Sequence, residues 1–266
     1  MSEVRAKKHL GQHFLIDPNT ARKIASTLSN QAVRVIEIGP GTGMLTRFLL
    51  ERNFNRLVLV EIDSESVIYL KTHFQFQEQD LIEGDFLKMD LSALMEGEFT
   101  VTGNFPYNIS SQILFKVLDF MHIVSELSGM FQKEVAERIV ARHGNKTYGI
   151  LSVLIQIYYE PEYLFTVNET VFNPPPKVKS AVIRLTRKAF LPENLNKELL
   201  FKVVKTAFNQ RRKTLRNALS GLCNLQETPL DKWASKRAEQ LSPAEFVELT
   251  KEIENKLTQR SNTSLE

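Results

Sequence analysis

The chain of 266 residues contains a single cysteine, Cys223, which excludes an intramolecular disulfide and any metal site built from several cysteines. It also lacks a run of about 18 apolar residues, the length that a membrane-spanning helix needs. Its first eight residues are polar and basic, with no apolar run behind them. We therefore expect a cytoplasmic protein without a membrane helix or a secretory signal.

The whole chain has little net charge, formally +3, but positive charge is concentrated in one segment. Residues 197–217 carry seven Lys or Arg side chains against one Glu, which leaves the rest of the chain slightly acidic. A near-neutral body with one basic segment indicates a polyanionic partner that binds at a defined place. A solvated surface helix would have the same composition, so charge alone does not decide between the two interpretations.

In the first two-thirds of the chain, β-rich runs alternate with helical patterns, which favours an α/β fold with a mostly parallel, Rossmann-like sheet. Ser64 is predicted to cap the helix that runs toward His73. Residues 148–159 fit either a helix or a strand. The sequence predicts strands at residues 34–39, 57–63, 81–86, 99–103 and 127–132, and an antiparallel edge hairpin formed by 163–167 and 181–187.

From Lys197 onward only helical patterns occur, so we expect a small all-α C-terminal domain. The loop-like composition around residues 188–196 places the predicted boundary there. The expected division is residues 1–188 for the α/β domain, 189–258 for the helical domain and 259–266 for a frayed tail. Ser242, with a proline after it and Glu245 three positions on, is typical of a helix start.

A glycine-rich turn, residues 37–43, follows the first predicted strand, where ligands of doubly wound sheets bind. Met44 stands where a dinucleotide fingerprint needs its third glycine, and the turn lacks the Lys and Ser or Thr of a P-loop. Glu61 ends the second strand, where a carboxylate can accept both ribose hydroxyls, and Asp85 ends the third. Either acid could instead cap a helix. Together they favour a nucleoside cofactor without a diphosphate, of which S-adenosylmethionine is the natural candidate.

The tetrapeptide Asn104-Phe105-Pro106-Tyr107 follows the fourth predicted strand. An amine conjugated to a purine ring is a poor nucleophile, and an enzyme assists it by accepting hydrogen bonds from its N–H groups. The Asn104 side-chain oxygen and the next backbone carbonyl can supply two acceptors. Tyr107 can stack on an extruded base. A tight turn with a packed tyrosine is the alternative.

With these motifs in place, the sequence resembles the small-subunit rRNA adenine dimethyltransferases of the KsgA type. The resemblance covers nearly the whole chain, and its motifs occur in family order. They are residues 8–15, 37–43, 104–107, 172–178 with 180–182, and 208–217.

The resemblance implies a role for each matching position. The N-terminal motif would fold over the cofactor, with His13 where the family usually has Asn, and Phe105 stands where the family usually has Leu. Phe172 would stack on the target adenine opposite Tyr107, although it could simply close the core beneath a proline-stiffened loop. The implied cofactor-binding residues are His13, Leu15, Gly39, Gly41, Glu61, Asp85 and Asn104. The implied catalytic residues are Asn104, Phe105, Pro106, Tyr107 and Phe172.

The basic segment is predicted to be one amphipathic helix that offers cations to phosphates. Its apolar stripe would consist of Phe201, Val204, Phe208, Leu215 and Leu219, and its basic face of Lys202, Lys205, Arg212 and Arg216. The resemblance makes the partner small-subunit rRNA, within the small ribosomal subunit or its precursor. The full set of predicted RNA-binding residues is Lys202, Lys205, Arg211, Arg212, Lys213 and Arg216.

The implied activity is transfer of methyl groups from S-adenosylmethionine to N6 of two adjacent adenosines near the 3′ end of small-subunit rRNA, by a monomer. The reaction needs no metal, because a sulfonium is already a good leaving group. The nearest alternative is the sister enzyme that acts on large-subunit rRNA and confers macrolide resistance. A non-catalytic RNA-binding assembly factor, a DNA adenine methyltransferase and an NAD-dependent oxidoreductase are further alternatives.

Overall fold

The computed structural model describes residues 4–226 and 228–263. Over this part of the chain, the strands are β1 (Phe14–Leu15), β2 (Arg34–Ile38), β3 (Arg56–Glu61), β4 (Leu81–Glu83), β5 (Phe99–Asn104), β6 (Val124–Gln132), β7 (Tyr159–Val167), β8 (Phe172–Asn173) and β9 (Ser180–Arg187). The helices are α1 (Pro18–Ala25), α2 (Met44–Leu50), α3 (Ser64–His73), α4 (Leu91–Leu94), α5 (Ser110–Asp119), α6 (Lys133–Val140), α7 (Ile150–Tyr158), α8 (Lys197–Asn209), α9 (Leu215–Ala218), α10 (Asp231–Ala234) and α11 (Pro243–Thr263).

Seven strands form one sheet in the order β4-β3-β2-β5-β6-β9-β7. The pairs from β4 to β6 are parallel, and β9 is antiparallel to β6. The α/β prediction is therefore confirmed, and the two predicted hairpin strands are neighbours at the sheet edge. From β2 the chain continues to β3 and β4 on one side, and β5 then lies on the other side of β2. The carboxyl ends of β2 and β5 thus form the topological switch point at which such sheets bind ligands.

The parallel strands consist almost entirely of buried residues, because helices cover both faces of such a sheet. In β2, Val35 and Ile36 are fully buried. On one face, α1 and α2 contribute Ile24, Phe48 and Leu49 to a core cluster that also contains Val35. This packing fixes the strand ends that carry the polar residues of the site.

Two local predictions need correction. Asp63, and not Ser64, caps α3, since its carboxylate accepts a hydrogen bond from the Glu65 amide while Ser64 is the first helical residue. The strand predicted to reach residue 86 ends at Glu83, because Asp85 caps a short 3₁₀ turn over Phe86–Lys88. The ambiguous segment 148–159 contains a helix, α7, that is apolar nearly all round.

The chain divides into two compact units. The first contains Met1–Ala136 and Glu160–Arg187, and the second contains Glu137–Tyr159 and Lys188–Glu266. Near the predicted boundary at residue 188, the chain crosses from the first unit to the second. The structure adds the segment containing α7 to the helical unit, where α7 packs against α8 and α11. An apolar helix needs such partners on several sides.

The basic segment is not one continuous helix, contrary to prediction. α8 ends at Asn209, residues 211–213 form a turn, and α9 begins at Leu215. The cations of residues 211–213 thus follow a helix C-terminus, where the helix dipole favours positive charge. Phe201, predicted in the apolar stripe, is 37% exposed, and the buried face consists of Leu200, Val203, Val204 and Ala207.

The last helix begins as predicted. The Ser242 hydroxyl accepts a hydrogen bond from the Glu245 amide at 3.2 Å, and the Glu245 carboxylate accepts one from the Ser242 amide at 2.8 Å. α11 continues to Thr263 and so includes residues 259–263 of the predicted tail, and residues 264–266 lie outside the described part. Among the described helices, none has both the length and the apolar character required to cross a membrane.

Candidate active site

A cleft of about 680 Å³, including its open mouth, lies at the carboxyl ends of β2, β3 and β5. This is the switch point of the sheet, and the N-terminal segment forms one of its walls. Its size lies within the ~300–1,000 Å³ that is usual for small-ligand sites. Residues that line it include Gly11, Gln12, His13, Gly39, Gly41, Glu61, Ile62, Asp85, Asn104, Phe105, Pro106 and Tyr107.

The turn after β2 requires glycine at its centre. Gly39 and Gly41 have φ angles of +65° and +56°, which L side chains rarely adopt. A Cβ atom on Gly41 would also lie 2.9 Å from the ring of Phe14. The turn therefore brings bare backbone to the cleft and lets the N-terminal segment approach it.

Glu61 is 3% exposed, and backbone amides fix its carboxylate. Oε2 accepts a hydrogen bond from the Gly41 amide and Oε1 accepts one from the Asp63 amide, each at 2.9 Å. Burial raises the pKa of Glu61, an effect that these backbone donors oppose. A carboxylate has about four acceptor positions, so Glu61, which also lines the cleft, can still accept a hydrogen bond from a ligand.

The N-terminal segment is attached to the end of β3 through Asp63. The buried Asp63 carboxylate accepts hydrogen bonds from Lys7 Nζ and, at 3.2 Å, from Gln12 Nε2. Burial tends to raise the pKa of Asp63, but the hydrogen bonds from Lys7, Gln12 and Ser66 outweigh it and lower the pKa. Sequence motifs do not single out Asp63 or Gln12, because no local pattern connects residues about fifty positions apart.

Asp85 caps a short turn and also lines the cleft. Its Oδ1 accepts a hydrogen bond from the Leu87 amide at 3.0 Å, as a helix cap does, while the residue lines the cleft. Its Oδ2 lies 3.7 Å from Lys88 Nζ, and the side chain is 29% exposed, so Oδ2 can still accept a hydrogen bond from a ligand. Between the two acids, Ile62 lines the cleft with 49% of its surface exposed. Sequence motifs do not indicate this apolar position, since a single isoleucine after a strand is not a recognisable pattern.

The amide of Asn104 is oriented by the N-terminal segment. Its Nδ2 donates to the backbone carbonyl of His13 at 2.9 Å. Only the amide nitrogen can donate to a carbonyl, which fixes Oδ1 as the free end of the group. Asn104 lines the cleft and therefore offers an acceptor there.

Phe105 anchors the tetrapeptide through its ring. The ring is 1% exposed and packs on Phe131 with 4.7 Å between centroids. A Cβ atom on Gly129 would lie 2.5 Å from this ring, and one on Gly103 would lie 3.1 Å away, so the two glycines make room for it. The side chain thus acts by holding the backbone.

Tyr107 and His13 connect the cleft to a proline-rich segment. The Tyr107 hydroxyl is hydrogen-bonded to Ser180, and burial raises the pKa of Tyr107. The rings of His13 and Tyr107 stack with centroids 5.5 Å apart. His13 Nδ1 lies 2.8 Å from the carbonyl oxygen of Pro174, so Nδ1 carries the proton and donates. Both ends of residues 174–180 are therefore attached to residues of the cleft.

The structure does not bring Phe172 to the cleft. Its side chain is 3% exposed and lies in the core cluster with Leu15, Met130 and Val182. β8 pairs with β1, which sets Phe172 opposite Leu15 and accounts for the shared burial. Leu15 lines a smaller adjoining cavity together with Asn104.

Glu37 lies in β2, directly before the glycine turn, and the sequence motif assigns it no separate role. It is 1% exposed, accepts a hydrogen bond from the Thr46 hydroxyl at 2.7 Å, and lines the smaller cavity. Burial, opposed by the Thr46 hydrogen bond and reinforced by Glu61, raises the pKa of Glu37 to about 8. It is therefore largely neutral near pH 7.

The predicted RNA-binding cations belong to the second unit and differ in their surroundings. Arg211 donates to the Asn145 carbonyl and lies 3.7 Å from Glu239, so it connects parts of its own unit. Lys205 Nζ lies 5.5 Å from the ring centroid of Phe201. The remaining four are exposed and form no ion pair with a described residue: Lys202, Arg212, Lys213 and Arg216.

The decisive comparison is with protein families. The family model described as "Ribosomal RNA adenine dimethylase" matches residues 3–255. The chain belongs to this family.

Members of the rRNA adenine dimethylase family with high similarity include two proteins named "Ribosomal RNA small subunit methyltransferase A". The one from Phocaeicola vulgatus is 52% identical over 98% of this chain and 94% of its own length. The one from Cytophaga hutchinsonii is 54% identical over 96% of this chain and its whole length.

Solved structures agree with the family assignment. A dimethyladenosine transferase from Plasmodium falciparum superposes with a TM-score of 0.73 at 28% identity, over 92% of this chain and 98% of its own. The 23S rRNA methyltransferase ErmE has a TM-score of 0.66 at 24% identity, over 91% and 99%, and shows the shared fold.

Proposed function

We propose that this protein transfers methyl groups from S-adenosylmethionine to N6 of two adjacent adenosines near the 3′ end of small-subunit (16S) rRNA, giving N6,N6-dimethyladenosine during subunit biogenesis. The observation that carries this function is the oriented amide of Asn104 at a nucleoside-sized cleft in a chain of the rRNA adenine dimethylase family. The small-subunit target is supported by relatives of 52–54% identity that are named "Ribosomal RNA small subunit methyltransferase A".

The residues of the cleft fit S-adenosylmethionine. Glu61 would accept hydrogen bonds from the ribose hydroxyls, and Asp85 would accept one from the exocyclic amine of adenine, since both line the cleft. Ile62 supplies an apolar wall near both acids. Gly39 and Gly41 present backbone where the methionine part would lie, with His13 and Leu15 on the covering side. The cofactor, when bound, supplies a methyl group on a sulfonium that leaves without metal assistance.

Asn104 and the following backbone carbonyl would act on the target amine. Two acceptors draw its N–H groups into one orientation and turn its lone pair away from the purine ring. Phe105 holds that backbone in place from below, Pro106 stiffens it, and Tyr107 would stack on the extruded base. The buried Phe172 would support this wall from the core, and a stacking role would require it to move.

No side chain needs to be a strong base, because methylation makes the amine proton acidic. Water at the open mouth of the cleft can accept it. After the first transfer, the same acceptor geometry holds the remaining N–H, so that a second transfer can follow.

Exposed cations of the second unit would contact rRNA phosphates. Lys202, Arg212, Lys213 and Arg216 are solvated and unpaired among described residues, and Arg is suited to bidentate phosphate contacts. Lys205 would contribute beside Phe201, whereas Arg211 would mainly hold the turn in place. We further propose a cytoplasmic monomer that acts on the small subunit or its precursor.

The test is methyl transfer to small subunits purified from cells that lack this protein. Incorporation of four methyl groups per subunit, with primer-extension stops at two adjacent adenines of small-subunit rRNA, is the expected result. Stops in large-subunit rRNA would favour the macrolide-resistance type of enzyme. Absence of transfer to either RNA would favour a non-catalytic assembly factor.

A further inference from the structure

A short segment of the first unit, residues 174–180, bears two exposed lysines beside the cleft. The segment begins with Pro174-Pro175-Pro176 and ends at Ser180. Lys177 and Lys179 are exposed, and Val178 between them is 47% exposed. Neither lysine forms an ion pair with any described residue. These cations lie outside the basic segment of the second unit.

The segment is held at both ends by residues that line the cleft. The Pro174 carbonyl accepts the hydrogen bond from His13 Nδ1 at 2.8 Å, and the Ser180 hydroxyl is bonded to Tyr107. In addition, the Lys179 carbonyl accepts a hydrogen bond from the Lys133 amide at 2.9 Å. Lys179 directly precedes Ser180, the hydrogen-bond partner of Tyr107, so the Cα atoms of Lys179 and Ser180 are about 3.8 Å apart.

Three consecutive prolines also limit how far the segment can move, because each fixes its own φ angle. A pair of cations on a restrained segment loses little conformational entropy when it binds, unlike lysines on a flexible loop. Solvated lysines at a fixed place complement the phosphates of a nucleic acid.

From this geometry we infer that Lys177 and Lys179 bind the phosphates that flank the target adenosine and so hold the RNA strand at the mouth of the cleft. The inference rests on the proposed function, which supplies the RNA strand. It adds a phosphate site on the unit that carries Asn104, separate from the cations of the second unit. The two sites would contribute independently to binding.

The test compares wild type with Lys177→Gln/Lys179→Gln by measuring affinity for naked small-subunit rRNA across a salt series. Loss of two phosphate contacts makes the slope of log affinity against log salt shallower by about 1.4–1.8. At fixed salt, we expect KM for purified subunits to rise about tenfold while kcat and affinity for S-adenosylmethionine stay unchanged. The variant Lys177→Arg/Lys179→Arg should restore the slope.

The matched control is Arg47→Gln/Lys71→Gln, which removes two exposed cations from helices α2 and α3 of the same unit. It should leave the slope on rRNA unchanged. Equal slopes for wild type and the Lys177/Lys179 variant, or an equal loss in the control, would overturn the inference. A loss seen with subunits but not with naked rRNA would overturn it too and would indicate a protein partner.

Failure of the proposed function gives a different result. Wild-type protein would then transfer no methyl group to subunits, whatever the salt slopes show. Methyl transfer by wild type together with equal slopes would remove only the phosphate site.

Discussion

The carboxylates of the cleft and the cations of the basic segment are the two sets of charged groups for which a ligand is proposed, and their surroundings in the structure are opposite. Glu61 and Asp63 are almost fully buried, and backbone or side-chain donors already occupy part of each group. Arg212 and Arg216 are exposed and have no ion-pair partner among described residues.

This difference is consistent with the two proposed ligands. A small cofactor is recognised atom by atom, so its site must be fixed before it arrives. An RNA backbone is recognised by the number of phosphates neutralised, which solvated side chains can do without a fixed geometry. Changes in the buried set should therefore alter chemistry or stability, and changes in the exposed set should alter salt dependence.

The largest effect is expected for Asn104→Ala. Loss of one positioned acceptor reduces turnover by about 10²–10³-fold, while affinity for S-adenosylmethionine, measured by calorimetry, should fall far less. Single-turnover methyl transfer to small subunits gives the rate. Turnover within a few-fold of wild type would contradict the role of the tetrapeptide.

Next in size is the pH dependence caused by Glu37. Because burial raises its pKa to about 8, the folded state favours the neutral carboxyl, and stability falls as pH rises from the unfolded value of 4.5 through 8. Between those pH values, Glu37 should lower the free energy of unfolding of wild type by an amount on the order of 3 kcal/mol. Urea unfolding should show that Glu37→Gln abolishes this decrease.

The control for this prediction is Glu96→Gln, which changes an exposed carboxylate of the same unit. It should follow the pH profile of wild type. A Glu37→Gln variant that also parallels wild type would mean that the carboxyl is ionised at no cost in the folded state.

The smallest effect is expected for Arg212→Gln/Arg216→Gln. The salt slope for small-subunit binding should become shallower by about 1.5–2, and the free energy of unfolding should change by no more than about 0.5 kcal/mol. Lys251→Gln, on α11, serves as a control for loss of charge in the same unit. Parallel salt lines for wild type and the double variant would leave these arginines as a solvated surface only.

Sequence patterns predicted the sheet and the strand-end residues well, because burial and chain order determine both. Glu61 and Asn104 are the last residues of parallel strands, whose carboxyl ends meet at one edge of the sheet. Strand lengths were less accurate where a polar residue such as Asp85 ended the strand by capping the next turn.

The helical wheel through residues 201–219 failed for a different reason. It assumes a continuous helix, and nothing in the periodicity shows that α8 stops at Asn209. The partners of Asp63 and the pairing of β8 with β1 join distant parts of the chain, which a single sequence does not connect.

The hydrogen bonds that Glu61 accepts from the amides of Gly41 and Asp63 join the end of β3 to the turn after β2. These backbone donors restrain the Glu61 carboxylate, so the proposed nucleoside cofactor would meet an acceptor of fixed orientation. Binding energy from these contacts then appears as affinity instead of being consumed in ordering the loop. Cofactor association at this wall should accordingly resemble docking to a rigid surface, with a rate set by access through the mouth of the cleft.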